Sequence, residues 1–187
     1  MIDLHCHLLP AVDDGAQNLE ESLAMAEKAV EQGITHILCT PHHNNGKYCN
    51  QKKKVIPLVA TLQKELDKRN LPLVLLEGQE VRITGELLEA LHRDELLAPS
   101  YLGRFGKEIQ KTAKKMVKYN LVQMIASDAH GVERRSFCLK ECYEQIAKDF
   151  NNEKVEQMKQ VAKDLINGEQ IHYPTYQAIK KKKFGLF

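Results

Sequence analysis

Four strand-like runs in this chain end the same way, in histidine and carboxylate residues, and that recurrence restricts the folds open to it more than any other feature. Residues 1–7 alternate, with Ile2, Leu4 and Cys6 on one side and Asp3, His5 and His7 on the other, as a strand requires. The run 34–39 passes into Thr40-Pro41-His42-His43-Asn44, the run 71–76 into Glu77-Gly78-Gln79-Glu80, and the run 121–126 into Ser127-Asp128-Ala129-His130. In parallel α/β sheets and barrels, functional groups collect where strands end and loops begin. The pattern therefore predicts an α/β fold with mostly parallel strands and one site at their carboxyl edge.

Amphipathic stretches separate these runs. Asn18 can cap a helix with Glu21 three residues on, Leu23, Ala26 and Val30 give it an apolar face, and Gly33 lies beyond its end,. A second helix is expected through Val55, Val59, Leu62 and Leu66, with Pro57 limiting how early it starts,. Helices are also expected over 86–93, 105–119, 136–149 and 153–167, and Leu97-Ala98-Pro99-Ser100 reads as a loop,. At 187 residues, 43% hydrophobic and 28% charged, the chain suffices for one core,. We expect a single domain over 1–172 and a basic tail over 173–187, where Lys180 to Lys183 hold most of a cationic excess of only 27 to 25. That balance argues against a nucleic-acid partner. Neither a leader segment nor a span long enough for a membrane is evident. Five cysteines without CxxC pairing fit a reduced, cytoplasmic chain,.

Each motif alone has an ordinary structural reading. His-x-His on a strand can be two satisfied core histidines. Asp13-Asp14-Gly15 alone is a turn, Pro41-His42-His43 a loop, and Glu80 a solvated charge. Together, four strand ends deliver His5 and His7, His42, Glu80, and Asp128 and His130 to one edge, with Asp14 in the first loop. Imidazoles mixed with carboxylates suit zinc, manganese or iron, and seven candidates exceed what one ion takes, so more than one metal is the natural inference. Cys6 points to the other side of its strand and reads as a small buried hydrophobe.

The stretches MIDLHCHLLPAVDDGAQN, TPHHNNGKY, LEGQEVRI and IASDAHGVERRSF resemble the PHP (polymerase and histidinol phosphatase) superfamily. Within it they are most similar to the manganese-dependent tyrosine-protein phosphatases encoded with capsule and exopolysaccharide genes in Gram-positive bacteria. The resemblance implies a distorted TIM-like β/α barrel. It also implies that His5, His7, Glu80 and Asp128 hold one metal, that Asp14, His42 and His130 hold another, and that Arg135, rather than its neighbour Arg134, holds the substrate phosphate. Mn2+ is the cofactor it implies, with Zn2+ or Fe as alternatives. The reaction is hydrolysis of phosphotyrosine by metal-activated water, and the implied partner is a phosphorylated bacterial tyrosine kinase.

The chain also departs from that family. Between Leu97 and Ser100, family members carry dozens of further residues, including two strands, a carboxylate ligand and a second phosphate-binding arginine. The barrel is accordingly expected to be incomplete, its open edges covered, opened, or paired in a homo-oligomer. Two other functions stay open on the sequence: a small-metabolite phosphatase of the histidinol-phosphate type, and a truncated, non-catalytic metal-binding remnant.

Overall fold

The computed structural model describes residues 1–81, 95–171 and Thr175. The chain runs β1 (Ile2–Cys6), α1 (Leu19–Glu31), β2 (His36–Cys39), β3 (His42–His43), α2 (Lys52–Lys68), β4 (Val74–Glu77), β5 (Glu80–Val81), β6 (Glu95–Leu97), α3 (Ala98–Tyr101), α4 (Lys107–Lys118), β7 (Met124–Ala126), α5 (Leu139–Asp149) and α6 (Asn152–Asn167). All four ladders, β1–β2, β2–β4, β3–β5 and β6–β7, are parallel, as the alternation of strand and helix patterns requires. A bridge between Cys6 and Ala129 joins β1 to the end of β7, so the strands form one row, β6-β7-β1-β2-β4. Among the described residues no ladder links β4 or β5 to β6.

Local sequence explains most of the elements. The Asn18 side chain accepts the Glu21 N–H at 2.8 Å while the Glu21 carboxylate accepts the Gln17 N–H at 2.9 Å, so α1 begins at a reciprocal cap,. Gly33, at φ +80°, supplies the left-handed turn beyond its end,. The main core holds Leu23, Met25, Ala26 and Ala29 of α1 and Val55, Val59, Leu62 and Leu66 of α2. A smaller cluster packs Val161 and Ala162 of α6 onto Leu4, Met124 and Ala126.

Two expectations are corrected. Helix α2 starts at Lys52, ahead of Pro57, which lies inside it. Residues 52–54 are exposed, so water can take the backbone bond that Pro57 cannot donate,. The stretch around Pro99 is not a loop but the end of β6 and the start of α3. Proline at the second position of a helix removes no helical hydrogen bond,. The expected helix over 86–93 lies outside the described residues, as does the basic tail except Thr175, whose carbonyl accepts from Asn120.

On the outer side of β4 a side chain takes two backbone hydrogen bonds. Gln63 of α2 donates from Nε2 to the Leu73 carbonyl at 3.0 Å and accepts the Leu75 N–H on Oε1 at 2.8 Å. One side-chain amide thus stands where a neighbouring strand's backbone would. Leu75 is buried, so its N–H cannot simply turn to water. Gln63→Ala is expected to cost about 1–3 kcal/mol of stability in urea unfolding and to raise self-association measured by light scattering.

Candidate metal centre

The carboxyl ends of β1, β2 and β7 converge on one edge of the sheet, and backbone bonds fix how they meet. Asp128 N–H donates to the His5 carbonyl and His7 N–H to the Ala129 carbonyl, both at 2.9 Å. Asp3, wholly buried, accepts the Ser127 N–H at 2.9 Å and the Ser127 hydroxyl. These contacts join residues more than a hundred positions apart and bring the first and last motifs side by side. The short strands β3 and β5 set His42 directly opposite Glu80. In the first loop Gly15 lies so close to His7 that a Cβ there would sit 2.1 Å from the His7 carbonyl oxygen. Asp128 and Arg135 both adopt positive φ, +56° and +52°, a backbone region uncommon for side-chain-bearing residues that collects at functional sites.

All seven expected ligands come together. His5 Nε2 lies 3.5 Å from Glu80 and 3.6 Å from Asp128, and His7 Nε2 lies 3.3 and 3.6 Å from the same two carboxylates. His42 faces Glu80 through Nδ1 at 2.7 Å and Asp14 through Nε2 at 3.1 Å. His130 Nε2 approaches Asp14 at 3.6 Å, and its ring stacks on that of His7 with centroids 3.7 Å apart. Two sets have ligand atoms within 4.8 Å of one another: His7, Asp14, His42 and His130, and His5, His7 and Glu80. His7 therefore belongs to both sets. Asp128 is in neither set, but its Oδ1 stays 3.6 Å from both His5 and His7 while its Oδ2 accepts from Arg135 at 2.5 Å.

The donors in this cluster are in short supply. His130 Nδ1 faces the Asp128 carbonyl at 3.0 Å, so it carries the proton, and Nε2 presents a lone pair that is buried with no hydrogen-bond partner,. His7 Nδ1 faces Asp13 at 2.8 Å, which turns its Nε2 lone pair toward Glu80, Asp128 and the His5 Nε2 only 3.3 Å away. Burial lowers the His130 pKa to about 4, so that ring is neutral at ordinary pH. Burial opposes ionisation of Glu80, but the imidazoles that face it outweigh burial and hold its carboxyl well below the usual carboxylate range. Converging lone pairs and carboxylates of this kind fit a divalent cation.

Asp13 is the residue that sequence reasoning missed. Its side chain is fully buried, and it accepts from His7 Nδ1, from the His42 N–H at 3.0 Å and from the Gly15 N–H at 2.9 Å. It orients two candidate ligands without being one, the outer-sphere role that fixes a histidine's tautomer. His43 joins none of these contacts. Burial pushes the Cys6 thiol well up and its Sγ donates to the Ala129 carbonyl, so it is no nucleophile.

Sequence comparison matches residues 1–98 and 95–167 to the family described as capsular polysaccharide synthesis, CpsB/CapC. The chain belongs to the CpsB/CapC family. It is similar to the tyrosine-protein phosphatase YwqE of Bacillus subtilis (32% identical, covering all of both chains) and to the tyrosine-protein phosphatase CpsB of Streptococcus agalactiae (23% identical, covering 84% of this chain and 94% of the other). Among solved structures it matches one described as part of crystal structures of YwqE from Bacillus subtilis and CpsB from Streptococcus pneumoniae, unique metal-dependent tyrosine phosphatases. The TM-score is 0.88 at 30% identity, over 97% of this chain and all of that one. The expected PHP-type fold is thereby borne out. The alignment with the Bacillus protein runs over 254 positions, of which this CpsB/CapC chain supplies 187, leaving 67 without a counterpart. The two matched stretches meet at residues 95–98, where β6 runs straight into α3.

Two measurements check this account. Asp13→Asn puts an amide N–H where the wild-type carboxylate accepts, and is expected to weaken metal affinity about 10–100-fold in competition with a chelator while the far-UV spectrum stays unchanged. Burial raises the Asp3 pKa from 3.8 to about 6. A carboxyl whose pKa rises on folding holds its proton more tightly when folded, so its contribution is complete below 3.8 and is lost as pH climbs through about 6,. The stability of Asp3→Asn relative to wild type should therefore increase across that window, read from urea midpoints at each pH.

Proposed function

We propose that this chain is a metal-dependent phosphatase that hydrolyses phosphotyrosine in proteins to tyrosine and inorganic phosphate. The observation that carries the reading is the cluster of lone pairs and carboxylates, in which the buried His130 Nε2 has no hydrogen-bond partner. Membership of a family whose named relatives are tyrosine-protein phosphatases supports the choice of substrate. His5, His7, Glu80 and Asp128 would hold one ion and Asp14, His42 and His130 another, with Mn2+ as the proposed metal. When bound, such ions supply Lewis-acid charge for the phosphoryl oxygens and make water nucleophilic at neutral pH.

The protein's own groups do the rest. Arg135 holds Asp128 with one N–H and has further donors left, which would bind phosphate oxygens,. Asp13 keeps His7 in the tautomer that turns Nε2 inward,. The departing phenolate has a pKa of about 10, so the reaction asks little of a general acid. We take the substrate to be a phosphorylated bacterial tyrosine kinase and the chain to be a single domain over 1–172. No helix among the described residues is long and apolar enough to cross a membrane. The 67 alignment positions without a counterpart favour one other reading, a protein that binds metal but no longer turns over.

The test is hydrolysis of a phosphotyrosine peptide by the purified chain with and without manganese, with metal content measured on the same samples. Wild type is expected to require manganese. His5→Ala and Asp128→Ala should lose both metal and turnover, and Arg135→Ala should keep its metal while its phosphate KM rises. Unchanged metal content in both ligand variants would refute the assigned site, and bound metal without turnover would favour the second reading.

A further inference from the structure

Helix α4 carries Lys107, Lys111, Lys114, Lys115 and Lys118, at spacings of three, four, seven and eight that put all five on one face,. Against them stands one acid, Glu108, so this single helix is more basic than the whole chain, whose formal net charge is +2. Lys114 is paired, reaching Asp149 at 2.7 Å. Lys107, Lys111, Lys115 and Lys118 have no ion-pair partner among the described residues, unlike Lys28, Lys68 and Lys159, whose acids lie within a turn of helix. The stripe lines a groove of about 490 Å³ whose other wall is Asp149 and Phe150. Phe150 and Lys118 continue into a second hollow of about 220 Å³.

The stripe's direction ties it to the metal centre. Strands β6 and β7 are parallel, so the connection between them returns antiparallel to both,. Lys107 therefore lies toward the carboxyl edge, where Asp128 and His130 are, and Lys118 toward the opposite edge. At 1.5 Å per residue the row is about 16 Å long, the span of roughly five extended residues.

We propose that this groove docks an acidic peptide segment bearing more than one phosphate or carboxylate, holding a substrate tail along α4 while one of its phosphotyrosines occupies the metal centre. The inference rests on the phosphatase reading and adds to it where the substrate is held. A lipid surface suits the groove less well, because Ile109, the exposed apolar residue of α4, lies on the side of the helix away from the lysines. Such a helix would present charge and apolar surface to different directions, whereas an interfacial helix inserts its apolar face beneath its cationic flanks.

The test uses the full chain and a fluorescent short peptide carrying two phosphotyrosines among aspartates and glutamates, with a small aryl phosphate as second substrate. Lys111→Glu with Lys115→Glu is expected to weaken peptide binding, read by anisotropy, about tenfold and to lower kcat/KM for the peptide alike. Hydrolysis of the small aryl phosphate should be unchanged, and Lys111→Arg with Lys115→Arg should restore peptide binding. Peptide binding indifferent to charge reversal would overturn the proposal, as would an equal fall in aryl phosphate turnover. Equally tight, equally lysine-dependent binding of phosphatidylserine vesicles or an oligonucleotide would overturn the assignment to a peptide. Should neither protein hydrolyse the aryl phosphate, the phosphatase reading fails, while the anisotropy still decides the docking surface.

Discussion

The parallel contact between β1 and β7 is what the rest of the molecule depends on. It is made of few bonds: two backbone pairings and the buried Asp3 carboxylate gripping Ser127. It nevertheless sets the first motif of the chain against the last, and without it His5 and His7 would have no Asp128 or His130 to meet. Burying a carboxylate is costly unless donors surround it. Asp3 has the Ser127 N–H and hydroxyl, and a longer contact at 3.4 Å from the His5 N–H. The donors come from Ser127 and His5, so the clamp is specific to this one pairing.

Much of this was legible in the sequence. The carboxyl-edge placement of His5, His7, His42, Glu80, Asp128 and His130 follows from strand-like runs that end in metal-capable residues, and the structure gathers all of them with Asp14. What could not be read depended on contacts distant in sequence or on elements too short to have a period. Asp13 and Asp14 are adjacent and chemically identical, and only the loop conformation decides that one is buried against His7 while the other is half exposed beside His42. Strands β3 and β5, at two residues each, carry no alternation to detect. Pro57 and Pro99 misled for one reason. Proline forbids a helical hydrogen bond, but an exposed first turn or a second helical position tolerates that loss.

Along the outer side of β4, Gln63 supplies partners for two backbone groups from a single side chain. Strands β7, β1 and β2 lie inside the row, and Glu80, carried just beyond the end of β4, brings the outer strand to the same site.

His7 has a consequence of a different kind. Its Nδ1 is committed to Asp13, which leaves one lone pair, yet that nitrogen is within reach of both candidate ligand sets. One lone pair cannot be donated in full to two ions. Were each set to hold an ion, the two would compete for this one nitrogen, and the ion without His7 would have the poorer coordination sphere. The aspartate of the first loop, by fixing the tautomer, would then be the source of any inequality between them.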